Sequence, residues 1–229
     1  NQTVRTFFEL SYNYNRNLDS HMMKNTEWGA VAYLSHSKYG INGEININNN
    51  SDYLTGYSAV EGTDQTSYLG TFGITEDITK PYNTETGYKA STTGNITGIY
   101  DMSGGSNEYI AAYMSGQFGN SGFDEITIQN YDLKYFDIYL SNSTVTSYNN
   151  RILGDATGEM GPFYTYQDKD GNSRIHNNWY ADGSGFFESS SPWFNRGGAC
   201  GDGVLSGQFR FDRYTGNFDS TLGSRLILN

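Results

Sequence analysis

The sequence predicts a single α+β domain spanning residues 1–229, and three observations carry that reading. The chain has 229 residues and one cysteine, Cys200, so it can bury a core of its own but has no disulfide framework. Twenty tyrosines, 13 phenylalanines and 3 tryptophans bring aromatics to 16%, which a disordered chain lacks, although hydrophobic content is only 36%. One stretch has helical spacing, the C-terminal third breaks into short aromatic runs separated by glycines, and neither a linker nor a repeat divides the chain.

The main helix is expected between Ser20 and Tyr39. Ser20 or Asn25 can cap it, Glu27 sits in its early turns, and Trp28, Val31, Ala32, Leu34 and Tyr39 fall near helical spacing, with Gly40 as its C-terminal stop. Ile41 to Asn48 alternates apolar with polar residues and reads as a short strand, and Asn48-Asn49-Asn50-Ser51 as the turn after it. Asp52 to Gly94 reads as polar loop. A weaker helix is expected from Ser106 to Met114, with Tyr109, Ile110 and Tyr113 on one side. Residues 118–150 show no clean period, and Leu133 to Leu140 suits either a strand or a short helix. Short strands are expected at 163–166, 185–187, 192–194, 208–211 and 224–228, joined by turns that the 28 glycines can make in left-handed conformations.

Charge narrows the partners. Acidic residues outnumber basic ones 25 to 14, the net charge is −11, and no Lys/Arg-rich run is present, so nucleic acid and anionic membrane are poor partners. No run of about 18 apolar residues exists. Asn1-Gln2-Thr3-Val4-Arg5 has neither an initiator Met nor a signal-peptide core, which reads as a fragment of a longer chain. Polar composition poor in Lys and Cys is common on bacterial and phage surfaces.

Several groups invite chemistry. Asp168-Lys169-Asp170-Gly171-Asn172 resembles the opening of a calcium loop but lacks the closing glutamate; an ordinary hairpin turn competes with it. His21, His36 and His176 lack partners at ligand spacing and read as surface or cap residues. Cys200 has Arg196 near in sequence but no histidine base, so it reads as a free thiol. Carboxylate pairs such as Asp101 with Glu108, or Asp155 with Glu159, would suit acid and base work only if they faced one cleft. Catalytic residues are therefore expected to be none, and metal ligands none.

From Trp179 to Phe211 the sequence separates into two kinds of residue. Trp179, Tyr180, Phe186, Pro192, Trp193, Phe194, Arg196, Gly197, Gly198, Gly207, Phe209 and Phe211 form an aromatic and glycine frame. Between them stand Ala181, Gly183, Ser184, Gly185, Glu188, Asn195, Ala199, Cys200, Asp202 and Val204, small or polar residues expected to project from loops. These are the candidate ligand-binding positions of a display region at about 179–214.

Asn95-Ile96-Thr97-Gly98-Ile99-Tyr100-Asp101-Met102-Ser103-Gly104-Gly105-Ser106-Asn107-Glu108-Tyr109 resembles the N-x-x-G-L-Y-D-M-x-G-N-V-W-E-W segment of the formylglycine-generating enzyme (sulfatase-modifying factor) superfamily. Asn25 to Leu34 resembles its W-x-x-A-x-A-Y helix, Trp193 to Gly198 its R-G-G, and Leu222 to Leu228 its closing G-F-R strand, all in matching order. The resemblance implies a C-type-lectin-like fold. Cys200 stands where the enzymes use two cysteines for copper, and only Glu108 keeps register with their calcium segment, so the resemblance is to a non-catalytic branch. The lectin-fold variable proteins of diversity-generating retroelements, and pilin-like surface proteins of gut Firmicutes and their phages, are similar from Trp179 to Phe211. That likeness implies an extracellular or cell-surface ligand-binding or adhesion module that takes a protein or glycan on a cell or phage surface. It also implies assembly into a pilus-like structure through a segment before Asn1. No cofactor is expected unless calcium binds at Asp168–Asn172 or Glu108. A formylglycine-generating-type oxidase and a calcium-dependent carbohydrate-binding lectin are the competing functions.

Overall fold

A computed structural model describes residues 2–49, 56–59, 79–139, 164–167, 173–177, 179–185 and 187–229. Helices lie on both faces of a mixed sheet. Helix α1 (Val4–Tyr14) starts at Thr3, whose hydroxyl accepts the Thr6 N–H, and buries Val4, Phe8 and Ser11 at i, i+4 and i+7. The sequence reading passed over it, although the Thr3 cap and the Arg5–Glu9 ion pair at 2.7 Å, one turn apart, are both legible. After the two-residue strand β1 (His21–Met22) comes α2 (Asn25–His36), the expected main helix, shortened at both ends. The Glu27 carboxylate takes the Lys24 N–H at 2.8 Å and fixes its start. Gly40 is not its left-handed stop: the helix ends at His36, and a Cβ on Gly40 would lie 2.3 Å from the Ser35 Cα, so glycine is needed there for close backbone approach.

Residues 41–48 do not form the expected strand. Asn48 makes one isolated bridge, to Gly104, while Ile45 and Ile47 are buried. Their alternation therefore reports burial without a ladder. Within 52–94 the described residues include a small ribbon of β2 (Tyr57–Ala59) and β3 (Thr79–Pro81).

The expected helix at 106–114 is the central strand β4 (Asn107–Met114). Its even residues, Ile110, Ala112 and Met114, enter the core under α2; its odd residues, Tyr109, Ala111 and Tyr113, enter the core under α1. A strand buried on both faces shows no alternation, and a short continuous apolar run cannot be told from a buried helix by period. The short helix α3 (Glu125–Ile128), a 3₁₀ turn at Leu133–Tyr135 and β5 (Asp137–Tyr139) follow, so Leu133 to Leu140 holds both of its expected alternatives as far as it is described.

Strands β6 (Tyr164–Gln167), β7 (Ser173–Asn177), β8 (Gly183–Ser184), β9 (Trp193–Gly197), β10 (Gly207–Tyr214) and β11 (Leu222–Ser224) complete a sheet ordered β11-β4-β9-β10-β8-β7-β6, with β5 also on β4. Strand β12 (Leu226–Ile227) pairs with β1. Apart from β7, which was not expected, the C-terminal strands stand close to where they were expected, with β8 ahead of 185–187 and the last run split in two. The α+β class holds.

Candidate functional site

The hairpin of β9 and β10 builds the candidate site. Its register is interrupted: Gly207 faces Gly197 and Phe211 faces Arg196, so Gln208, Phe209 and Arg210 have no opposite residues on β9. A bulge leaves backbone groups without ladder partners. Here buried side chains supply them. The Trp28 indole N–H donates to Gln208 O at 2.9 Å, and the Asp182 carboxyl accepts the Phe209 N–H at 2.8 Å. The Arg196 guanidinium, fully buried, donates to Asn25 Oδ1 at 3.0 Å and to Gln208 O at 3.4 Å, and lies over the Trp28 ring. Burial holds the Asp182 carboxyl well above the usual carboxylate range.

This brace carries the connection from Gly198 to Ser206. Gly198 has φ +84°, and a Cβ there would sit 2.6 Å from the Ser206 hydroxyl, so both conformation and space require glycine. Ala199 N–H donates to the Asp202 carboxylate at 2.7 Å, and Ser206 Oγ donates to Ala199 O at 2.8 Å. Arg210 anchors the far side, 3.3 Å from Asp202 and donating to Leu205 O at 3.1 Å. Cys200 N–H donates to Gly105 O at 2.8 Å, tying the loop to the segment that precedes β4. The loop is rigid by hydrogen bonding, while Ala199, Cys200 and Asp202 remain partly exposed.

Only some of the nominated positions meet here. Gly183, Ser184, Gly185 and Asn195 are buried, and their assignment to an exposed face is corrected. β8 is hemmed between β7 and β10, and Asn195 is in the sheet centre opposite Tyr109, on the side that α1 covers. Glu188 is exposed, but at the opposite end of the hairpin, with its carboxylate 3.4 Å from Arg213; five residues of β9 put that end roughly 15 Å away. Ala181 and Val204 belong to described backbone, with side chains outside the described set. Trp193, Phe194, Arg196, Phe209 and Phe211 are fully buried, as frame residues should be. Sequence reasoning missed Trp28, Asp182, Ser206 and Arg210 as supports. The one signal available was that Asp182 and Arg196 each stand directly before a glycine, Gly183 and Gly197.

Other chemistry-bearing residues serve structure. His21 is buried rather than at the surface, its ring bonded to Glu27 at 2.9 Å and to Asp19 O at 2.7 Å. His36 bonds the Tyr180 hydroxyl and lies against Trp179, with ring centroids 4.4 Å apart. Glu108 and Asp101 are neighbours, but inside the protein rather than in a cleft. Glu108 pairs with Arg225 at 2.6 Å, and Asp101 accepts from Asn48 and from Gly56 N–H. Burial, with Asp101 adding to it and Arg225 opposing, pushes Glu108 up to about 7. Burial, followed by the charge of Asp202, raises the Cys200 thiol above its ordinary value. Asp155, Glu159 and Asp168–Asn172 lie outside the described residues, as does the side chain of His176. Among the described residues, no group of three His, Cys, Asp or Glu is placed to hold a metal, and no helix is long and apolar enough to cross a membrane. Comparison with known proteins finds no match, either to a family model or to a curated sequence.

Proposed function

We propose that the protein is a surface-displayed ligand-recognition or adhesion module of the non-catalytic formylglycine-enzyme type, on a C-type-lectin-like fold, with the β9–β10 loop as its recognition face. The observation that carries the reading is the pairing of a buried brace, made by Trp28, Asp182 and Arg196, with a hydrogen-bonded loop whose Ala199, Cys200 and Asp202 side chains stay partly exposed. Recognition sites are commonly loops on a rigid scaffold, because a preorganised loop loses little entropy on binding. Specificity would then be set by shape and hydrogen bonding at Ala199, Cys200 and Asp202, with a protein or glycan of a cell or phage surface as ligand. Diversification of these positions by a retroelement is part of the proposal.

The chemistry of Cys200 favours binding over oxidation. A catalytic thiolate needs a lowered pKa, whereas here burial and a carboxylate both hold the proton on. The test is a screen of the intact protein on arrays of bacterial-surface glycans and surface proteins, run beside incubation with copper, oxygen and a cysteine-containing sulfatase peptide. Saturable binding without peptide oxidation is expected. Oxidation that is lost in Cys200→Ser would overturn the reading.

A further inference from the structure

A cavity of about 290 Å³ opens between the C-terminal half of α2 and the 92–99 loop, lined by none of residues 198–206. Its walls are Val31, Leu34, Tyr39 and Ile99, and its floor is Ser35 and Thr92. Leu34, Tyr39 and Ile99 are 58%, 75% and 41% exposed, so the apolar surface continues outward around the mouth. Large side chains left to water around an open cavity mark a site for an apolar group.

Most polar atoms of the floor are already committed. Ser35 Oγ is shared between Ala32 O at 2.9 Å and Gln208 Oε1 at 2.7 Å. Thr92 N–H donates to Ile99 O at 2.9 Å, and Thr92 Oγ1 accepts from Ile99 N–H at 3.0 Å. Apart from the exposed Thr93 and Tyr39 hydroxyls, a sugar or other polar group inserted here would find few partners for the hydrogen bonds it loses to water, which argues for a ring without polar edges. Since a cavity of about 150 Å³ accepts benzene, this one has room for a bicyclic ring.

Charge at the mouth sets the rest of the ligand. In a chain of net charge −11, no residue lining the cavity is acidic, and the exposed Lys38 holds its ammonium 5.0 Å from the centroid of the Tyr39 ring that forms the wall. We propose that this cavity binds a small aromatic carboxylate, its ring between α2 and the 92–99 loop and its carboxylate near Lys38.

The test is saturation-transfer NMR and calorimetry on the intact protein with indole-3-acetate, indole and tryptamine as probes. Indole-3-acetate is expected to bind more tightly than indole, and tryptamine most weakly. Leu34→Trp, which plugs the mouth, and Ile99→Ala, which removes a wall, are each expected to weaken indole-3-acetate at least five-fold. Both positions are partly exposed, and an unchanged melting transition shows that the variants fold. Lys38→Ala should abolish the preference for the acetate over tryptamine. Absence of transfer to indole-3-acetate, equal binding of all three probes, or undiminished binding in both wall variants would overturn the proposal.

Discussion

At the scale of single residues, burial decides what the chemistry can do. Glu108 is forced to share a buried site with Arg225 and Asp101, and its pKa rises from 4.5 to about 7. A carboxyl whose folded pKa exceeds its unfolded one stabilises the native state most fully below the unfolded value, and that stability is lost as pH rises through the folded one. His21, raised by Glu27, has the same sign, with its loss at pH above 6.5. Stability should therefore fall between about pH 4.5 and 7, and Glu108→Gln should flatten that slope; urea denaturation across this range reads it, and an unchanged slope would show that Glu108 does not titrate there. Trp193 and Asn195 make a second contrast. Trp193 donates its indole N–H to Phe118 O at 3.0 Å and stacks on Tyr113, so Trp193→Ala should cost about 3–5 kcal/mol. Asn195 is also buried, but its Oδ1 has no hydrogen-bond partner, and removing an unpaired polar group offsets much of the packing lost. Asn195→Ala is expected to cost less than about 1.5 kcal/mol in thermal melts, and a cost equal to that of Trp193→Ala would contradict this reading of its environment.

At the scale of elements, the bulge of β10 is the feature on which the loop depends. Trp28→Phe keeps a smaller aromatic ring but leaves Gln208 O with only the longer Arg196 bond, and should cost about 1–3 kcal/mol from the lost hydrogen bond alone. Gly207→Ala would set a Cβ 1.9 Å from the Asp182 carboxyl and should cost at least as much through overpacking. Chemical denaturation checks both, and a neutral Gly207→Ala would mean that the carboxyl is free to move. These elements were unequally legible in the sequence. Helix α2 and strands β9 and β10 showed themselves through caps, spacing and glycine turns. β4 did not, because Tyr109 to Met114 is buried on both sides and so lost the period that marks a half-exposed strand. The brace was hidden for a different reason: Trp28 and Gln208 are 180 residues apart, and a bulge has no sequence period.

At the scale of the whole molecule, α1 and α2 cover the two faces of one sheet, and that layering helps to set which positions are buried. It buries Asn195 on the side that α1 covers, while Ser184 is buried on β8 between β7 and β10; the spacing of frame residues had assigned both to the exposed set, and Ala199, Cys200 and Asp202 stand on the loop beyond the sheet. Composition and spacing distinguished large from small residues; only the packing of helices and strands says which small residues reach solvent. Asp202 has two duties, since it also holds Ala199 N–H and Arg210, so the loop is best tested through its neighbours. The direct measurement is to exchange Ala199 and Cys200 together for tyrosine and serine, then compare melting and binding on the same array of surface glycans and proteins. The account predicts a stability change within about 0.5 kcal/mol and an altered set of bound ligands, because specificity is a difference of affinities set at exposed positions. An identical binding profile at unchanged stability would contradict the claim that this loop is the recognition face.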